Sequence, residues 1–405
     1  LNILQLHNKI PFPPKDGGSV AVYNLSEAFV KLNHNVDILA LNTKKHFVDF
    51  NTIEKLLPEH LNIISVDIDT SIKPIKVLAN FLFSELPYNA ERFISEKFKA
   101  KLTELLKQKE FDIIQIEGLY MMPYINVIKA NTKSFISYRA HNVEHEIWGN
   151  TILKEKNLLK RIYLRNLHKK IKKFELTFID QYDLLVPISE KDADFFIKMR
   201  NTKKIHICPA GLDSSKYNRQ NFKIDKTSFF HLGSLDWIPN REGLLWFLEN
   251  VWTKINKKYD SLSFSIAGRN APETFTKQLS RYYNILYRGE IDNACEFMQQ
   301  HSIMIVPLFS GSGMRIKIIE GMASGNIVIT TPKGAEGIDA VNGKHFLIAE
   351  NEIDFIKHID HIFEGKYNLQ EISKNARQFI SDNFDTFAVS KSLLTFYEKA
   401  INEQK

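Results

Sequence analysis

Short apolar runs bounded by polar turns recur along the chain and alternate with stretches of helical period, a pattern that leaves few folds open. NILQLH (2–7) runs into the polar loop HNKIPFPPKDGGSVAV, whose tail begins a helix carrying Val20, Leu25, Ala28, Phe29 and Leu32. VDILAL (36–41) follows. A strand, loop, helix and strand within ~40 residues is the signature of a parallel pair. Further runs are NIISVDI (62–68), FDIIQIEG (111–118), SFISYRAH (134–141), DLLVPIS (183–189) and KIHICPAG (204–211). Their continuous apolar character predicts strands buried on both faces. The polar segment SSKYNRQNFKIDKTS (214–228) reads as a linker. A second series then runs FFHLGS (229–234), SFSIAG (263–268), NILYRG (284–289), IMIVPL (303–308) and NIVITT (326–331). Two such series predict two doubly wound α/β domains. A final stretch of helical period, TFAVSKSLLTFYEKAIN (386–402), predicts a C-terminal helix docked on a neighbouring domain.

The totals agree with this division and remove several classes. A chain of 405 residues corresponds to roughly two or three domains, and 44% hydrophobic against 25% charged residues is the balance of a soluble globular protein. No apolar run is long enough for a membrane-crossing helix. The opening LNILQLH has no basic n-region, so no secretory leader is expected. Cys208 and Cys295 are the only cysteines and lack metal-ligand spacing. Neither a disulfide framework nor a zinc site is expected, and a reducing cytoplasm is the natural setting. The net charge of +7 suits an anionic partner. Nucleic acid is disfavoured, because no aromatic residues interleave the basic run as a stacking platform requires.

FSGSGMRIKIIEGMASG (309–325) concentrates glycine, cations and one carboxylate at a strand-to-helix turn. Gly311 and Gly313 supply tight-turn torsions and close ligand approach. The turn opens a helix whose first amides are unpaired and whose dipole favours an anion. Arg315 and Lys317 are out of place at that positive end unless an anion such as a diphosphate sits among them. Glu320 follows Lys317 by three residues, and its two acceptor oxygens suit the paired hydroxyls of a ribose. The alternative is a Lys–Glu pair on a solvated helix face.

These residues resemble a known family. S-G-x-G-M-R-x-K-x-x-E-G-M-A-x-G, followed by IVITTPKGAEGI (327–338), is similar to the donor-binding region of glycosyltransferase family 4. PPKDGG (13–18), RAHNVEHEIW (139–148), CPAGLD (208–213) and LGSLDWIPNREGLLWF (232–247) extend the likeness over nearly the whole chain. The resemblance implies a GT-B fold, two facing doubly wound Rossmann-like domains with the donor site in the cleft between them. The domains would be 1–213 on the acceptor side and 214–384 binding the nucleotide sugar, with 385–405 a helix returning to the first. It also implies a retaining transfer from a nucleotide-diphosphate sugar to a saccharide or lipid-linked acceptor, in cell-surface polysaccharide or lipopolysaccharide assembly. A GT-B nucleotide-sugar epimerase and a non-catalytic nucleotide-sugar binder are the competing readings.

Carried over by residue, Glu320 matches the second glutamate of the family's E-x7-E motif, which holds the ribose, and Met314 lies within the same donor segment. The first glutamate is replaced by Ser312, and Glu336 in GAEGI offers a carboxylate in its stead. The family's Arg and Lys after the first strand of the second domain are represented by Ser234 and Arg241. The clamping charge would then have moved to Arg315 and Lys317. Gly17 and Gly18 match the glycine loop of the first domain, and His141 the histidine that hydrogen-bonds the donor sugar. Arg315, Lys317 and His141 are therefore the expected catalytic groups, since such sites accelerate transfer chiefly by stabilising the leaving diphosphate. The leaving phosphate oxygen can accept the acceptor's proton, so no separate base is required. The nucleotide sugar is a co-substrate, and no cofactor or metal is expected. The DID of 67–69 stands away from the donor turn, and HNVEH (141–145) lacks a third ligand.

LKEKNLLKRIYLRNLHKKIKKFE (153–175) carries nine Lys or Arg against two Glu. Leu159, Ile162, Tyr163, Leu167, Ile171 and Phe174 fall at helical spacing, a stripe with basic flanks. Two readings stay open for it: a packed helix with a solvated basic face, or a helix resting on an anionic membrane surface. The second would make the protein peripheral on the inner face of the cytoplasmic membrane.

Overall fold

The computed structural model describes residues 1–14, 17–217, 223–259, 261–311 and 314–403. The chain forms two compact units, Leu1–Gly211 with Val389–Lys405, and Leu212–Ala388.

Unit 1 is built on a seven-stranded parallel sheet: β1 (Asn2–His7), β2 (Asn35–Thr43), β3 (Leu61–Ile68), β4 (Ile113–Glu117), β5 (Phe135–Ala140), β6 (Leu184–Pro187) and β7 (Lys204–Ile205). Their order is β3-β2-β1-β4-β5-β6-β7. Ile3 packs with Leu25, Phe29 and Tyr397 on one face, while Leu4 and Leu6 join Phe98, Ile116 and Ile171 on the other. A strand that feeds two cores is apolar on both faces, and the buried Gln5 is admitted because Ser26 Oγ donates to its Oε1 at 2.6 Å. The order reverses between β1 and β4, the switch point where open α/β sheets place their ligands. Helices that matter below are α1 (Gly17–Lys31), α2 (Pro74–Phe83), α3 (Glu144–Lys154) and α4 (Leu158–Thr177).

Unit 2 repeats the plan with six parallel strands: β8 (Ser228–Leu232), β9 (Ser263–Ala267), β10 (Ile285–Gly289), β11 (Ile303–Val306), β12 (Ile327–Thr330) and β13 (Leu347–Ile348). The order β10-β9-β8-β11-β12-β13 puts its switch point between β8 and β11. Helix α5 (Ile238–Phe247) follows β8, and α6 (Ile316–Ala323) follows β11. Both helices start at the carboxyl ends of those two strands. The segment expected as a linker is different. Ser214–Tyr217 forms a 3-10 turn within unit 2, and Tyr217 is buried there, while 218–222 lie outside the described residues.

The last helix, α7 (Thr386–Asn402), belongs to unit 1 from Val389 onward. Tyr397 is fully buried, its hydroxyl donating to Gln115 Oε1 at 2.8 Å and lying 2.8 Å from Ser137 Oγ. Among the described residues, no helix is long and apolar enough to cross a membrane.

Candidate functional site

Lys317 organises the switch point of unit 2. Its ammonium donates to Asn240 Oδ1 at 2.8 Å and lies 3.3 Å from His231 Nε2. His231 is buried near the end of β8 and hydrogen-bonds the Ile305 carbonyl through Nδ1 at 2.8 Å. A ring that donates through Nδ1 offers Nε2 as an acceptor, so this neutral tautomer serves both neighbours. Burial and the nearby Lys317 charge hold the imidazole well below its ordinary range. Asn240, in the first turn of α5, also donates to the Ser234 carbonyl at 2.8 Å. The loop after β8 is thereby tied to α6. A Cβ on Gly233 would come within 2.9 Å of both Lys317 Nζ and Asn240 Nδ2 and would displace those side chains from their present places.

Arg315 stands one residue ahead of α6, 7% exposed, with its guanidinium 5.1 Å from the centre of the Trp237 ring. Burial lowers its affinity for the proton, and the Glu336 carboxylate opposes that shift. Burial, reinforced by the Arg315 charge, pushes Lys317 down to about 7. Two neighbouring cations, Arg315 buried and Lys317 partly so, are unfavourable alone and are relieved by an anion. Glu320, a turn further along α6, accepts from the Tyr217 hydroxyl at 3.1 Å. Burial raises its carboxyl to about 7, against the effect of that hydrogen bond. Lys317 and Glu320 thus have separate partners, and the alternative of a Lys–Glu pair on a solvated face does not describe them.

Gly311 has φ +105°. A Cβ there would lie 2.6 Å from the Trp237 ring and 2.8 Å from Arg315 Nη2. The turn can therefore lie against both side chains only as glycine. Ser312 and Gly313 lie outside the described residues. Met314 is packed close to Gly337, which brings the GAEGI turn alongside α6. Glu336 in that turn pairs with Lys333. Arg241 donates Nη1 to the Leu235 carbonyl at 2.8 Å and so shapes the loop after β8.

Sequence reasoning did not find Tyr217, His231, Trp237, Asn240 or Arg269, whose Nε donates to Ser234 Oγ at 3.2 Å. One signal was available. A histidine inside FFHLGS and an asparagine inside WIPNREGLL sit in otherwise apolar surroundings, and buried polar groups demand partners.

In unit 1, Gly17 and Gly18 are exposed and form the first turn of α1. His141 follows β5, its side chain 30% exposed, with Nε2 on the Glu117 carboxylate. Glu117 ends β4 and is buried; it also receives Gln115 and, at 3.3 Å, Arg139. Burial alone would raise the Glu117 carboxyl, but Arg139 and His141 hold it well below the carboxylate range. Burial keeps the neighbouring His7 neutral, its imidazole pushed down to about 4. His145 turns away to a second carboxylate, Glu175, at 2.5 Å, and Glu175 also accepts the Glu144 amide at 3.0 Å at the start of α3. The two histidines of HNVEH thus face different acids. Among the described residues no group of three His, Cys, Asp or Glu could hold a metal ion. Asp69 of the DID segment pairs with Lys44 and Lys73.

The profile of Glycosyltransferase Family 4 matches residues 15–216, and that of Glycosyl transferases group 1 matches residues 226–364. The chain belongs to the family 4 glycosyltransferases. An uncharacterized 44.6 kDa protein in the cps region of Klebsiella pneumoniae is 24% identical over 400 residues, covering 96% of this chain and 98% of the relative. Among solved structures, HepE of Anabaena in complex with UDP superposes with a TM-score of 0.68 at 12% identity, covering 98% of this chain and all of HepE. Sucrose-phosphate synthase of Thermosynechococcus elongatus gives 0.70 at 13% identity, with both chains fully covered. TarM gives 0.69 at 12% identity, with 98% of each chain covered. At these identities the likeness is one of fold, the GT-B architecture of two parallel-sheet α/β domains.

Proposed function

We propose that this glycosyltransferase moves a sugar, with retention, from a nucleoside-diphosphate sugar to a saccharide or lipid-linked acceptor in cell-surface polysaccharide assembly. The observation that carries the reading is the pair Arg315 and Lys317, held with Gly311 and the Gly233–Trp237 loop at the carboxyl ends of β8 and β11. That arrangement fits a diphosphate. Glu320, with Tyr217 behind it, fits the ribose hydroxyls. HepE has been solved with UDP and with UDP-glucose, which makes uridine donors the first to test. The location of the Klebsiella relative in a cps region supports a polysaccharide as product.

In the proposed reaction the bond from the anomeric carbon to the diphosphate oxygen breaks, and a bond to the acceptor oxygen forms on the same face. The acceptor's proton passes to the leaving diphosphate oxygen. Arg315 and Lys317 take up the charge that develops there, the kind of preorganised stabilisation that dominates such steps. His141 keeps the role implied by the resemblance, a hydrogen bond to a sugar hydroxyl. Because side-chain cations neutralise the leaving group, the reaction needs no metal.

Thermal-shift screening against UDP-, GDP-, ADP- and dTDP-sugars, then nucleoside diphosphate release with saccharide acceptors and proton NMR of the product's anomeric configuration, tests the proposal. Release should depend on an acceptor, persist in EDTA and retain configuration. Binding without turnover, or an inverted product, would sink it. A narrower check concerns the turn: Gly311→Ala is expected to weaken UDP binding by about tenfold or more. It forces φ +105° on a residue with a Cβ and drives that Cβ into Trp237 and Arg315, a strain of about 1–3 kcal/mol. Unchanged UDP affinity in this variant would remove the turn from the donor site.

A further inference from the structure

Helix α2 of unit 1 is packed inside out. Its sequence, PIKVLANFLF, is mostly apolar, yet its only buried residue is Asn80, which donates to the Leu86 carbonyl at 2.9 Å. Ile75, Leu78, Leu82 and Phe83 are 84%, 59%, 58% and 85% exposed, and Ile72 just before the helix is 68% exposed. Helix α4 lies beside it. Phe81 and Tyr163 have ring centroids 6.0 Å apart, Lys170 donates to the Asn80 carbonyl at 2.7 Å, and Lys173 meets Glu85 at 2.7 Å.

The stripe expected along α4 divides in two. Leu167, Ile171 and Phe174 enter the core of unit 1, while Leu158, Leu159 and Ile162 remain 68%, 79% and 47% exposed. Unit 1 therefore presents apolar side chains from two adjacent helices, far more than scattered surface hydrophobes account for. The basic charge comes from α4: residues 153–175 carry nine Lys or Arg against two Glu, while beside α2 Lys73 pairs with Asp69 and Lys173 with Glu85, and Lys76 adds a further cation.

We infer that the α2–α4 face of unit 1 docks on an anionic lipid bilayer, the exposed side chains of α2 and the start of α4 entering the headgroup–acyl boundary while the lysines and arginines hold anionic headgroups. The charge selects this occupant. A second copy of the chain, joined about a two-fold axis, would set the basic face against itself. A bilayer with anionic lipid supplies negative charge and an apolar layer directly beneath it, the combination such helices match. This surface is independent of the donor site in unit 2, and a failure of either leaves the other standing.

Flotation with phosphatidylglycerol/phosphatidylcholine vesicles, with phosphatidylcholine alone and with 0.5 M salt tests it. The protein should float with the anionic vesicles only, and salt should reduce the bound fraction. Ile75→Glu/Phe83→Glu and Arg165→Glu/Lys169→Glu should each cut binding by about tenfold, with melting temperature and UDP affinity unchanged. These residues are exposed, and a variant that failed to fold would leave the wild-type lipid and salt dependence to decide. Absence of flotation with anionic vesicles at low salt overturns the inference. So does a wild-type dimer that Ile75→Glu/Phe83→Glu converts to monomer, because the face would then be a subunit interface.

Discussion

Lys317→Met should weaken UDP-glucose binding by roughly 30-fold or more, and Arg315→Ala/Lys317→Ala by about a thousandfold, as read by isothermal titration. Each charge-assisted contact to a diphosphate contributes about 1.5–3 kcal/mol, and a tenfold change corresponds to about 1.4 kcal/mol. The informative feature is the contrast with stability. Lys317 lies in a position that depresses its pKa to about 7, so the unliganded protein holds an ammonium at a cost. Methionine keeps the length of the side chain and removes that cost. Against this, Asn240 Oδ1 and His231 Nε2 lose their donor, and leaving such acceptors unmet costs about 1–3 kcal/mol. The two effects oppose each other, and the melting temperature without ligand should stay within a few degrees of the parent, roughly the span of 1 kcal/mol. A large loss of affinity with little loss of stability marks a residue held for its ligand. Unchanged affinity in the double variant would remove the diphosphate from this wall.

The second large effect is a reversal of proton linkage with pH. At pH 8, Lys317, with its pKa pushed down to about 7, is mostly neutral. A bound diphosphate would favour the ammonium, so UDP-glucose should bind with uptake approaching one proton. At pH 6, Glu320, raised to about 7, is mostly protonated. A ribose donating both hydroxyls favours the carboxylate, so binding should release a proton. Titrations in buffers of different ionisation enthalpy measure both, with the crossover near pH 7. Lys317→Met should abolish uptake at pH 8 and leave release at pH 6, while Glu320→Gln should do the converse. The same groups set opposite slopes for folding. Between about pH 7 and Lys317's ordinary 10.5 the unfolded chain binds the extra proton, and stability rises with pH. Between Glu320's ordinary 4.5 and about 7 the folded chain binds it, and stability falls as pH rises. A proton balance that kept one sign from pH 6 to pH 8 would contradict the assignment of these two groups.

The parallel-sheet architecture was legible because buried strands write themselves as apolar runs. β1 occupies the same residues, 2–7, that its apolar run marks, and each of the other predicted runs contains or overlaps a strand. The strand β13 escaped because Leu347–Ile348 is too short to form a pattern. KIHICPAG extends past β7, yet the His206 and Cys208 amides still donate to the Leu185 and Pro187 carbonyls of β6. The donor turn could be located because glycines, cations and a carboxylate are close in sequence. Its partners could not: Asn240 and His231 are 77 and 86 positions from Lys317, and nothing local encodes that meeting. Tyr217 sat inside a polar run that reads as connection, although its ring is buried beneath Glu320. The exposure of α2 was missed because apolar composition predicts burial, and its apolar side chains are exposed all the same.

The place of Tyr397 has a consequence for how the protein is made. Its hydroxyl completes the polar pairing of Gln115 and Ser137 on neighbouring strands, but it is translated after the whole of unit 2. The sheet of unit 1 must therefore wait, with one side incompletely covered, until the whole of the following unit has been synthesised. A chain interrupted between unit 2 and Tyr397 would therefore carry its damage in unit 1, which was already made, and not in the unit just completed.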